Sequence, residues 1–344
     1  MTLSRRDTLK LFAASAGAGL AGNLALPAWA QAKPELAVQI LGYTLSIHIP
    51  AITALHEGLP ALGYPKPKMD RMESMQVLTQ SLVANSVNFG ESDVVSALRA
   101  SAAGADLRIT GLVYNNTSQV LVVNADQIKD FKDLEKPGNV IAFNSKGDFI
   151  YVLLSGIMAR RGVDIDKVTF VEVGGSGSRM RALLAGRVSA VPVHFDQAAK
   201  IVKQGNYKVL ANPTEVFDPW LSEVWLSNAK WLEQEGNRRA AVDLQKATIA
   251  SFRKANSDFN YFAESYRKYA TVKGAAEATD DELRPVWSDL VNEIKAWPND
   301  GGFKRAYFDQ LLPVYRDAEA LDGDPNLDRL VDTSIVEQAL QELG

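Results

Sequence analysis

Residues 140–173 read VIAFNSKGDFIYVLLSGIMARRGVDIDKVTFVEV. Four apolar residues at the start of this stretch predict a strand, and a polar turn that contains Gly147 follows them. An apolar run of helical length comes next, from Phe149 to Arg161, and Gly162 ends it. A second strand is predicted over residues 168–173. A strand, a helix and another strand in this order indicate a parallel βαβ unit, so we predict an α/β fold.

The same alternation of strands and helices continues on both sides of this unit. On the N-terminal side, the pattern predicts strands at 36–41, 86–90 and 107–114 and helices at 47–62, 75–84 and 92–103. On the C-terminal side, a helix ends at Leu184 and strands follow at 190–193 and 207–210. From Ala229 onward the pattern is almost entirely helical. These patterns predict two α/β lobes and a helical C-terminal region.

Two short strands, at 119–123 and 223–227, lie where one series of units ends and the next begins. We interpret them as the crossings between the two lobes. A chain of 344 residues is also longer than a single hydrophobic core usually supports. We therefore predict that residues 31–122 and 224–344 form lobe 1 and that residues 123–223 form lobe 2.

Composition excludes several kinds of site. The chain has no cysteine, which excludes thiol nucleophiles, thiolate metal sites and iron–sulfur clusters. Its three histidines, His48, His56 and His194, include no i, i+4 pair, so we expect no dedicated metal site and no cofactor. The 37 basic and 41 acidic residues give a net charge of −4 without a basic stripe, so no nucleic-acid partner is expected.

The first thirty residues have the pattern of a cleaved signal peptide. Arg5 and Arg6 precede a weakly apolar run rich in Ala and Gly, and Ala28 and Ala30 give the small-x-small cleavage pattern. The paired arginines resemble a twin-arginine signal, which predicts export by the Tat machinery, with the Sec route as the alternative. An amphipathic first helix of the fold is the competing interpretation, but the run has no polar face. We predict a periplasmic protein that is soluble after cleavage.

Polar loops follow the carboxyl ends of several predicted strands, where ligands of open α/β sheets bind. Ser, Asn and Asp at such positions are also common helix caps, so each residue has a plain structural interpretation as well. The candidate ligand-binding residues are Tyr43, Thr44, Ser74, Ser92, Asn115, Ser145, Lys146, Gly147, His194 and Trp225.

These candidates favour an anionic ligand. The N-termini of helices and Lys146 suit a sulfonate or carboxylate. His194 follows a predicted strand and has two interpretations: a hydrogen-bond donor to a ligand carboxylate, or a half-buried histidine with protein partners. His48 and His56 are expected to be surface or packing residues. Five aromatic residues could form the flat walls of a site for an organic ligand or, alternatively, occupy core positions. They are Tyr43, Tyr114, Phe149, Trp220 and Trp225.

A family resemblance rests on several motifs. The segment 131–134, FKDL, precedes the VIAFNSKG step at 140–147, and the segments 161–164, 168–173 and 182–190 continue in the same order. This series resembles the substrate-binding proteins of nitrate, sulfonate and taurine ABC transporters, which are related to thiamine-pyrimidine synthases. His194-Phe195-Asp196 stands where that family usually has Glu-Pro. The resemblance covers most of residues 35–344 and identifies a scaffold.

The resemblance implies a two-lobe periplasmic-binding-protein fold of type II, in which the chain crosses twice between lobes. It also implies a monomeric solute-binding component of an ABC importer, with a small organic anion as ligand and a membrane permease as partner. The enzymatic relatives depend on cysteine, which is absent here, and no nucleophile, base and orienting group occur at a motif spacing, so we predict that the protein is not an enzyme. The alternatives are an exported cofactor-free enzyme and a ligand-binding sensory protein of the same fold.

Overall fold

The computed structural model describes residues 33–72 and 75–344. The predicted signal peptide, with Arg5, Arg6, Ala28 and Ala30, lies outside the described residues, as does Ser74. Ten strands form two five-stranded sheets within the described residues. The strands are β1 Ala37–Leu41, β2 Lys68–Met72, β3 Phe89–Asp93, β4 Leu107–Asn115, β5 Gln119–Asn124, β6 Val140–Phe143, β7 Thr169–Glu172, β8 Ala190–His194, β9 Tyr207–Ala211 and β10 Leu221–Asn228.

Helices cover both sheets and make up most of the C-terminal region. The first helix, α1, is a continuous series of the turns Ser46–His48, Ile49–Thr53, Ala54–Gly58 and Leu59–Ala61. The others are α2 Met75–Val83, α3 Val94–Ala102, α4 Phe149–Arg160, α5 Ser176–Leu184, α6 Phe195–Val202, α7 Ala229–Leu232, α8 Glu235–Ser257, α9 Phe259–Tyr269, α10 Asp280–Ser288, α11 Arg305–Asp317, α12 Leu327–Leu330 and α13 Thr333–Leu343. Within the described residues, no helix is both long enough and apolar enough to span a membrane.

The two sheets exchange strands. The first sheet has the order β2-β1-β3-β10-β4 and the second has the order β7-β6-β8-β5-β9. In the first sheet β10 runs antiparallel to both its neighbours, and in the second sheet β5 does the same. The chain thus passes from the first sheet to the second after β4 and returns after β9. The predicted α/β fold with two crossings and a helical C-terminal region is confirmed.

The two crossing segments contact each other at Asn116. Its side-chain Oδ1 accepts a hydrogen bond from the backbone N–H of Trp220 at 2.9 Å, and its Nδ2 donates to the carbonyl of Ile294 at 2.7 Å. The backbone of Asn116 has φ 57°, a left-handed conformation that Asn adopts more readily than most residues. One side chain therefore ties both crossings to the helical C-terminal region.

The core follows the alternation of side chains along the strands. On β5, Val120 and Val122 pack in a small cluster on one face of the second sheet, while Leu121 and Val123 on the other face join the large core. That core also contains α4 and the C-terminal helices. At Gly156 of α4, a Cβ atom would lie 2.6 Å from Val314 Cγ1 of α11, so glycine allows this close approach. The C-terminal region thus packs against a helix of the second sheet.

Two local predictions need correction. The strand predicted at 86–90 begins at Phe89 and extends to Asp93, and the following helix begins at Val94, because Asp93 caps that helix by accepting the N–H of Ser96 at 2.7 Å. Strand β2 was absent from the prediction, since its sequence KMDRM lacks an apolar alternation. It pairs only with β1 at the exposed edge of the first sheet, so no second face has to be apolar.

Candidate functional site

Two carboxyl groups lie together at the first sheet, and we call Glu91 and Glu223 the acid pair. Glu91 is on β3 and Glu223 is on β10, and the antiparallel pairing of these strands sets Glu223 opposite Asp93 and Trp225 opposite Glu91. The Nε2 atom of His48 lies 3.4 Å from Glu91 Oε1 and 3.2 Å from Glu223 Oε2. All three side chains are buried. The strand pairing therefore brings two carboxyl groups and a histidine together within the first sheet.

Burial controls the protonation of this cluster. Burial and the neighbouring Glu223 carboxylate raise the pKa of Glu91 well above its usual range. Burial also raises the pKa of Glu223. The same loss of hydration lowers the pKa of His48, so its imidazole is neutral at pH 7. The backbone N–H of Leu45 donates to His48 Nδ1 at 3.1 Å, which leaves the ring proton on Nε2.

The second sheet contributes a buried guanidinium. Arg179 on α5 is 2% exposed, and its Nε donates to the carbonyl of Pro192 at 2.8 Å while Nη1 donates to the carbonyl of Gly174. Among the described residues, it takes no part in an ion pair with a carboxylate. Burial lowers the pKa of Arg179 to about 10, so the group remains charged at pH 7. A buried cation without an anionic partner is suited to bind an anion.

Arg179 belongs to a hydrogen-bonded network with His194. Nη2 of Arg179 donates to Gln119 Oε1 at 3.5 Å, and Gln119 Nε2 lies 2.8 Å from His194 Nε2. The other ring nitrogen of His194 lies 2.7 Å from the hydroxyl of Ser118. Both ring nitrogens therefore have protein partners. This arrangement agrees with the interpretation of His194 as a half-buried histidine that orients its neighbours.

We expect His194 to stay neutral down to acidic pH. Burial, aided by the charge of Arg179 and opposed by Asp196, lowers its pKa to about 4. Because the ordinary histidine pKa of about 6.5 applies to the unfolded chain, the free energy of unfolding should fall as the pH drops from about 6.5 towards 4. The His194 contribution to this loss is about 2 kcal/mol at pH 5.

The measurement is a proton NMR titration of the three histidine rings. A midpoint for His194 below pH 5 is expected, and a midpoint near 6.5 would contradict the burial argument. The variant His194→Gln serves as the assignment control. In urea denaturation it should also lose less stability than the wild type between pH 7 and pH 5.

Tyr43 is a half-exposed aromatic residue beside His48. Its side chain is 50% exposed and its ring centre is 6.2 Å from that of His48. Burial of the hydroxyl and then the carboxylates of Glu223, Glu91 and Asp93 raise the pKa of Tyr43, whereas Arg179 lowers it. The phenol is therefore within electrostatic reach of both the acid pair and Arg179.

The polar turn after β6 makes contacts within the protein. The ammonium of Lys146 lies 3.6 Å from the carboxylate of Glu319, and both side chains are exposed. The carbonyl of Gly147 accepts a hydrogen bond from Arg99 on α3 at 2.6 Å. Asp148 caps α4 by accepting the N–H of Tyr151 at 2.8 Å. A carboxylate therefore already occupies this helix N-terminus, and Ser145 and Lys146 lie beside a contact between the sheets.

Four other predicted residues are buried in the first sheet or next to it. Thr44 is 1% exposed, and its hydroxyl accepts a hydrogen bond from Arg71 at 3.1 Å. Ser92 and Trp225 are fully buried, and Asn115 is nearly so. These four side chains are thus closed to solvent in this conformation, whereas Tyr43 is half exposed.

Sequence reasoning missed several residues that the structure brings to this site. They are His48, Glu91, Gln119, Arg179 and Glu223. His48 was expected on the surface or in packing, but it is buried between two carboxylates. The available signal was an acidic residue within a short apolar strand, as in EVWLS at 223–227. Burial of a charged group at such a position costs free energy, so an acidic residue there indicates a functional role.

His56 lies away from this cluster, at a surface depression of 600 Å³ beside α1 and α9. Its ring stacks on that of Tyr269 with a centroid distance of 4.6 Å. Glu57 and Lys268 in the same depression form an ion pair at 2.7 Å. This charge compensation and the stacked ring agree with the expected packing role of His56.

Comparisons with known proteins come from a family model and from solved structures. The family model described as NMT1/THI5 like matches residues 72–255. No curated protein matches the chain significantly in sequence. Three similar structures are the alkanesulfonate-binding protein SsuA from Xanthomonas axonopodis pv. citri bound to MOPS, the periplasmic aliphatic sulphonate binding protein SsuA from Escherichia coli and the periplasmic nitrate-binding protein NrtA from Synechocystis.

These structures share the fold at low sequence identity. The Xanthomonas protein is 17% identical with a TM-score of 0.65, over 88% of this chain and 99% of that one. The E. coli protein is 16% identical with a TM-score of 0.62, over 86% of this chain and 91% of that one. The Synechocystis protein is 11% identical with a TM-score of 0.66, over 90% and 89% of the two chains. Each likeness extends over nearly the whole described chain.

Proposed function

The chain belongs to the NMT1/THI5-like family, and from this premise we propose that it is the periplasmic solute-binding component of an ABC importer. It captures a small organic anion, a sulfonate or a carboxylate, between its two sheets. A membrane permease then receives the anion. The sulfonate- and nitrate-binding names of the similar structures support this class of ligand.

The observation that carries the anion assignment is the buried Arg179. Its guanidinium donates to backbone carbonyls and to Gln119, and no carboxylate of residues 33–72 and 75–344 pairs with it. Its hydrogen-bond acceptors are neutral, and Asp148 acts on it as a nearby charge without forming an ion pair, so a sulfonate or carboxylate can add hydrogen bonds of the charge-assisted kind. Tyr43 reaches the same space from the first sheet and supplies an aromatic wall.

In this proposal the ligand is captured by closure of the two lobes about the two crossing segments. We take residues 31–122 with 224–344 as lobe 1 and residues 123–223 as lobe 2, except that residues 119–122 go with lobe 2 because β5 pairs within the second sheet. The hinge lies at the crossing segments joined by Asn116. A ligand that contacts Arg179 on one side and Tyr43 on the other binds the closed form better than the open form. Differential binding of this kind shifts the population towards closure.

The proposal also includes that the protein is exported and that it does not catalyse a reaction. The signal peptide at residues 1–30 directs the chain through the Tat machinery, or through Sec, and the mature protein acts as a monomer. Ser118 Oγ lies 2.7 Å from His194 Nδ1, but the amide of Gln119 donates to the other ring nitrogen, so the ring proton is on Nδ1 and His194 donates to Ser118 rather than taking its proton. Binding without turnover is the expected activity.

A thermal-shift screen of the protein purified from the periplasm tests this function. The panel contains alkanesulfonates, aromatic and aliphatic carboxylates, nitrate and pyrimidines. A ligand at ~100 times its dissociation constant should add about 2.7 kcal/mol to the free energy of unfolding and raise the melting temperature visibly. Mass spectrometry of the compound afterwards should show no change. A panel without any shift, or a compound that is converted, would contradict the proposal.

A further inference from the structure

Cationic side chains line the surface depression beside α1 and α9, which lies away from the acid pair. The depression has a volume of 600 Å³, which is within the range of sites for small molecules. Besides His56, its charged lining residues are the cations Lys66, Arg71 and Lys268 and the carboxylate Glu57. The depression therefore has a surplus of two positive charges, although the whole chain has a net charge of −4.

The carboxylate of this depression is already shared by two donors. Glu57 Oε1 accepts hydrogen bonds from Lys268 Nζ at 2.7 Å and from the hydroxyl of Tyr269 at 2.6 Å. These two bonds lower the pKa of Glu57, so it is ionised at pH 7 and compensates the charge of Lys268. Among the described residues, neither Lys66 nor Arg71 forms an ion pair with a carboxylate. The surplus charge therefore resides on these two side chains.

The guanidinium of Arg71 is held in place by one of its nitrogens. Nη1 of Arg71 donates to the carbonyl of Leu41 and to the hydroxyl of Thr44, each at 3.1 Å. Within residues 33–72 and 75–344, its Nε and Nη2 atoms have no acceptor. These two nitrogens form one edge of the planar group, and such an edge matches two oxygens of a single anion. Arg71 is thus pre-organised to bind an oxyanion.

The ring of His56 lies within electrostatic reach of both uncompensated cations. It stacks on the ring of Tyr269, with a centroid distance of 4.6 Å and an angle of 5° between the planes. Burial and then the charges of Lys66 and Arg71 lower the pKa of His56, while Glu57 opposes them. An anion bound near these cations favours the charged imidazolium and has the opposite effect. His56 therefore provides a local probe of what binds in the depression.

We infer that this depression is a second anion site, which binds a phosphate group through Arg71 and Lys66. A phosphate dianion compensates both positive charges, whereas a carboxylate or a sulfonate compensates one. Arg71 donates to two of its oxygens, and Lys66 adds a point charge on a flexible stem. The phosphate is either a free ion or the headgroup of a membrane phospholipid. The site goes beyond the proposed function and does not depend on which ligand binds between the sheets.

Isothermal titration calorimetry with inorganic phosphate tests this inference at pH 8, where the ion is dianionic. The ionic strength is held constant with sodium chloride, since salt screens exposed charges. A dissociation constant of about 1 mM or below is expected. Lys66→Gln, an exposed substitution, should weaken binding at least ~3-fold, and Arg71→Gln should weaken it further because it removes the bidentate contact. Lys203→Gln, an exposed substitution in lobe 2, should bind phosphate as the wild type does.

A proton NMR titration of the His56 ring shows where the phosphate binds. His56→Gln assigns the signal, and phosphate should raise the titration midpoint of His56 by ~0.5 pH unit or more. The rise should be smaller in Lys66→Gln. It should persist in Arg179→Met, in which the buried cation of the other anion site is removed. Circular dichroism must show that Lys66→Gln and Arg71→Gln retain the wild-type fold.

Several results would overturn the inference. They are a His56 midpoint that phosphate does not move, a rise that is equal in Lys66→Gln, and a rise that disappears in Arg179→Met, which would place the phosphate between the sheets. None of these results would affect the proposed function, which the thermal-shift screen tests separately.

Sedimentation with lipid vesicles distinguishes the two sources of phosphate. One set of vesicles contains equal amounts of phosphatidylcholine and phosphatidic acid, and the other contains phosphatidylcholine alone. Binding to the acidic vesicles that is reduced in Lys66→Gln supports the site and assigns the phosphate to a lipid headgroup. Binding of inorganic phosphate without binding to vesicles supports the site and assigns a free phosphate.

Discussion

Replacing Arg179 with methionine should reduce the affinity for the anionic ligand by about 100-fold or more. Removal of one partner from a buried, hydrogen-bonded charge pair costs about 2–5 kcal/mol, and 2.7 kcal/mol corresponds to a factor of about 100 in the dissociation constant. Methionine has a similar length and no charge, so the change removes the guanidinium while the volume stays filled. The measurement is calorimetric titration with the compound that gives the largest thermal shift.

Two further variants distinguish the effect of the positive charge of Arg179 from the effect of its hydrogen bonds and its place on α5. Arg179→Lys keeps the positive charge but cannot donate at once to Pro192, Gly174 and Gln119, so an intermediate loss is expected. Arg181→Met changes an exposed arginine of the same helix, whose side chain donates to Ser178, and should bind ligand as the wild type does. Near-ultraviolet circular dichroism must show that Arg179→Met retains its tertiary structure. A folded Arg179→Met with unchanged affinity would contradict the anion assignment.

Replacing Trp220 with alanine should lower the free energy of unfolding by about 3–5 kcal/mol, the usual cost of removing a large aromatic side chain from a core. The side chain of Trp220 is completely buried. Its ring contacts those of Phe217, Tyr315 and Phe149, with centroid distances of 4.7, 5.9 and 6.0 Å. These partners belong to the returning crossing, to α11 and to the start of α4. One side chain therefore fills the space where the second sheet, the crossing and the C-terminal region meet.

Calorimetry and urea denaturation test this prediction. The melting temperature of Trp220→Ala should fall on the order of 10 °C, and Trp220→Phe should lose much less. The indole Nε1 of Trp220 has no hydrogen-bond partner, so phenylalanine gives up no hydrogen bond and only part of the packing. A loss below about 1 kcal/mol in Trp220→Ala would show that the neighbouring rings collapse into the cavity.

Much of the fold could be predicted from local patterns. The apolar run VIAF and the following helix appear in the structure as β6 and α4, with bounds within one residue of the expected ones. The strands at β4, β5 and β8 also appear close to their predicted places, since each is a compact apolar run next to a polar turn. The exception, β2, is a charged edge strand. Its conformation depends on pairing with β1 rather than on its own composition.

Fewer residues of the candidate site could be predicted from local sequence patterns. Tyr43 and His194 were named from their places after strands, and the structure places Tyr43 beside His48 and His194 in the network with Gln119 and Arg179. Lys146 was named for its charge, but it pairs with Glu319, a residue of the C-terminal region far away in the chain. An arginine in the first turns of a helix usually extends into solvent, so the local pattern gives no sign that Arg179 is buried. Only the packing of α5 against β8 buries it, with the carbonyl of Pro192 as its acceptor.

The sequence by itself thus determined the order of strands and helices, the two series of βαβ units and the helical C-terminal region. These features depend on periodicities of a few residues, which can be read locally. The tertiary structure decided which charges are buried together. Glu91 and Glu223 are neighbours only because β10 returns from the second sheet and inserts beside β3. Burial then changes the protonation and the partners of such groups, and burial is a property of the packed chain that no local pattern contains.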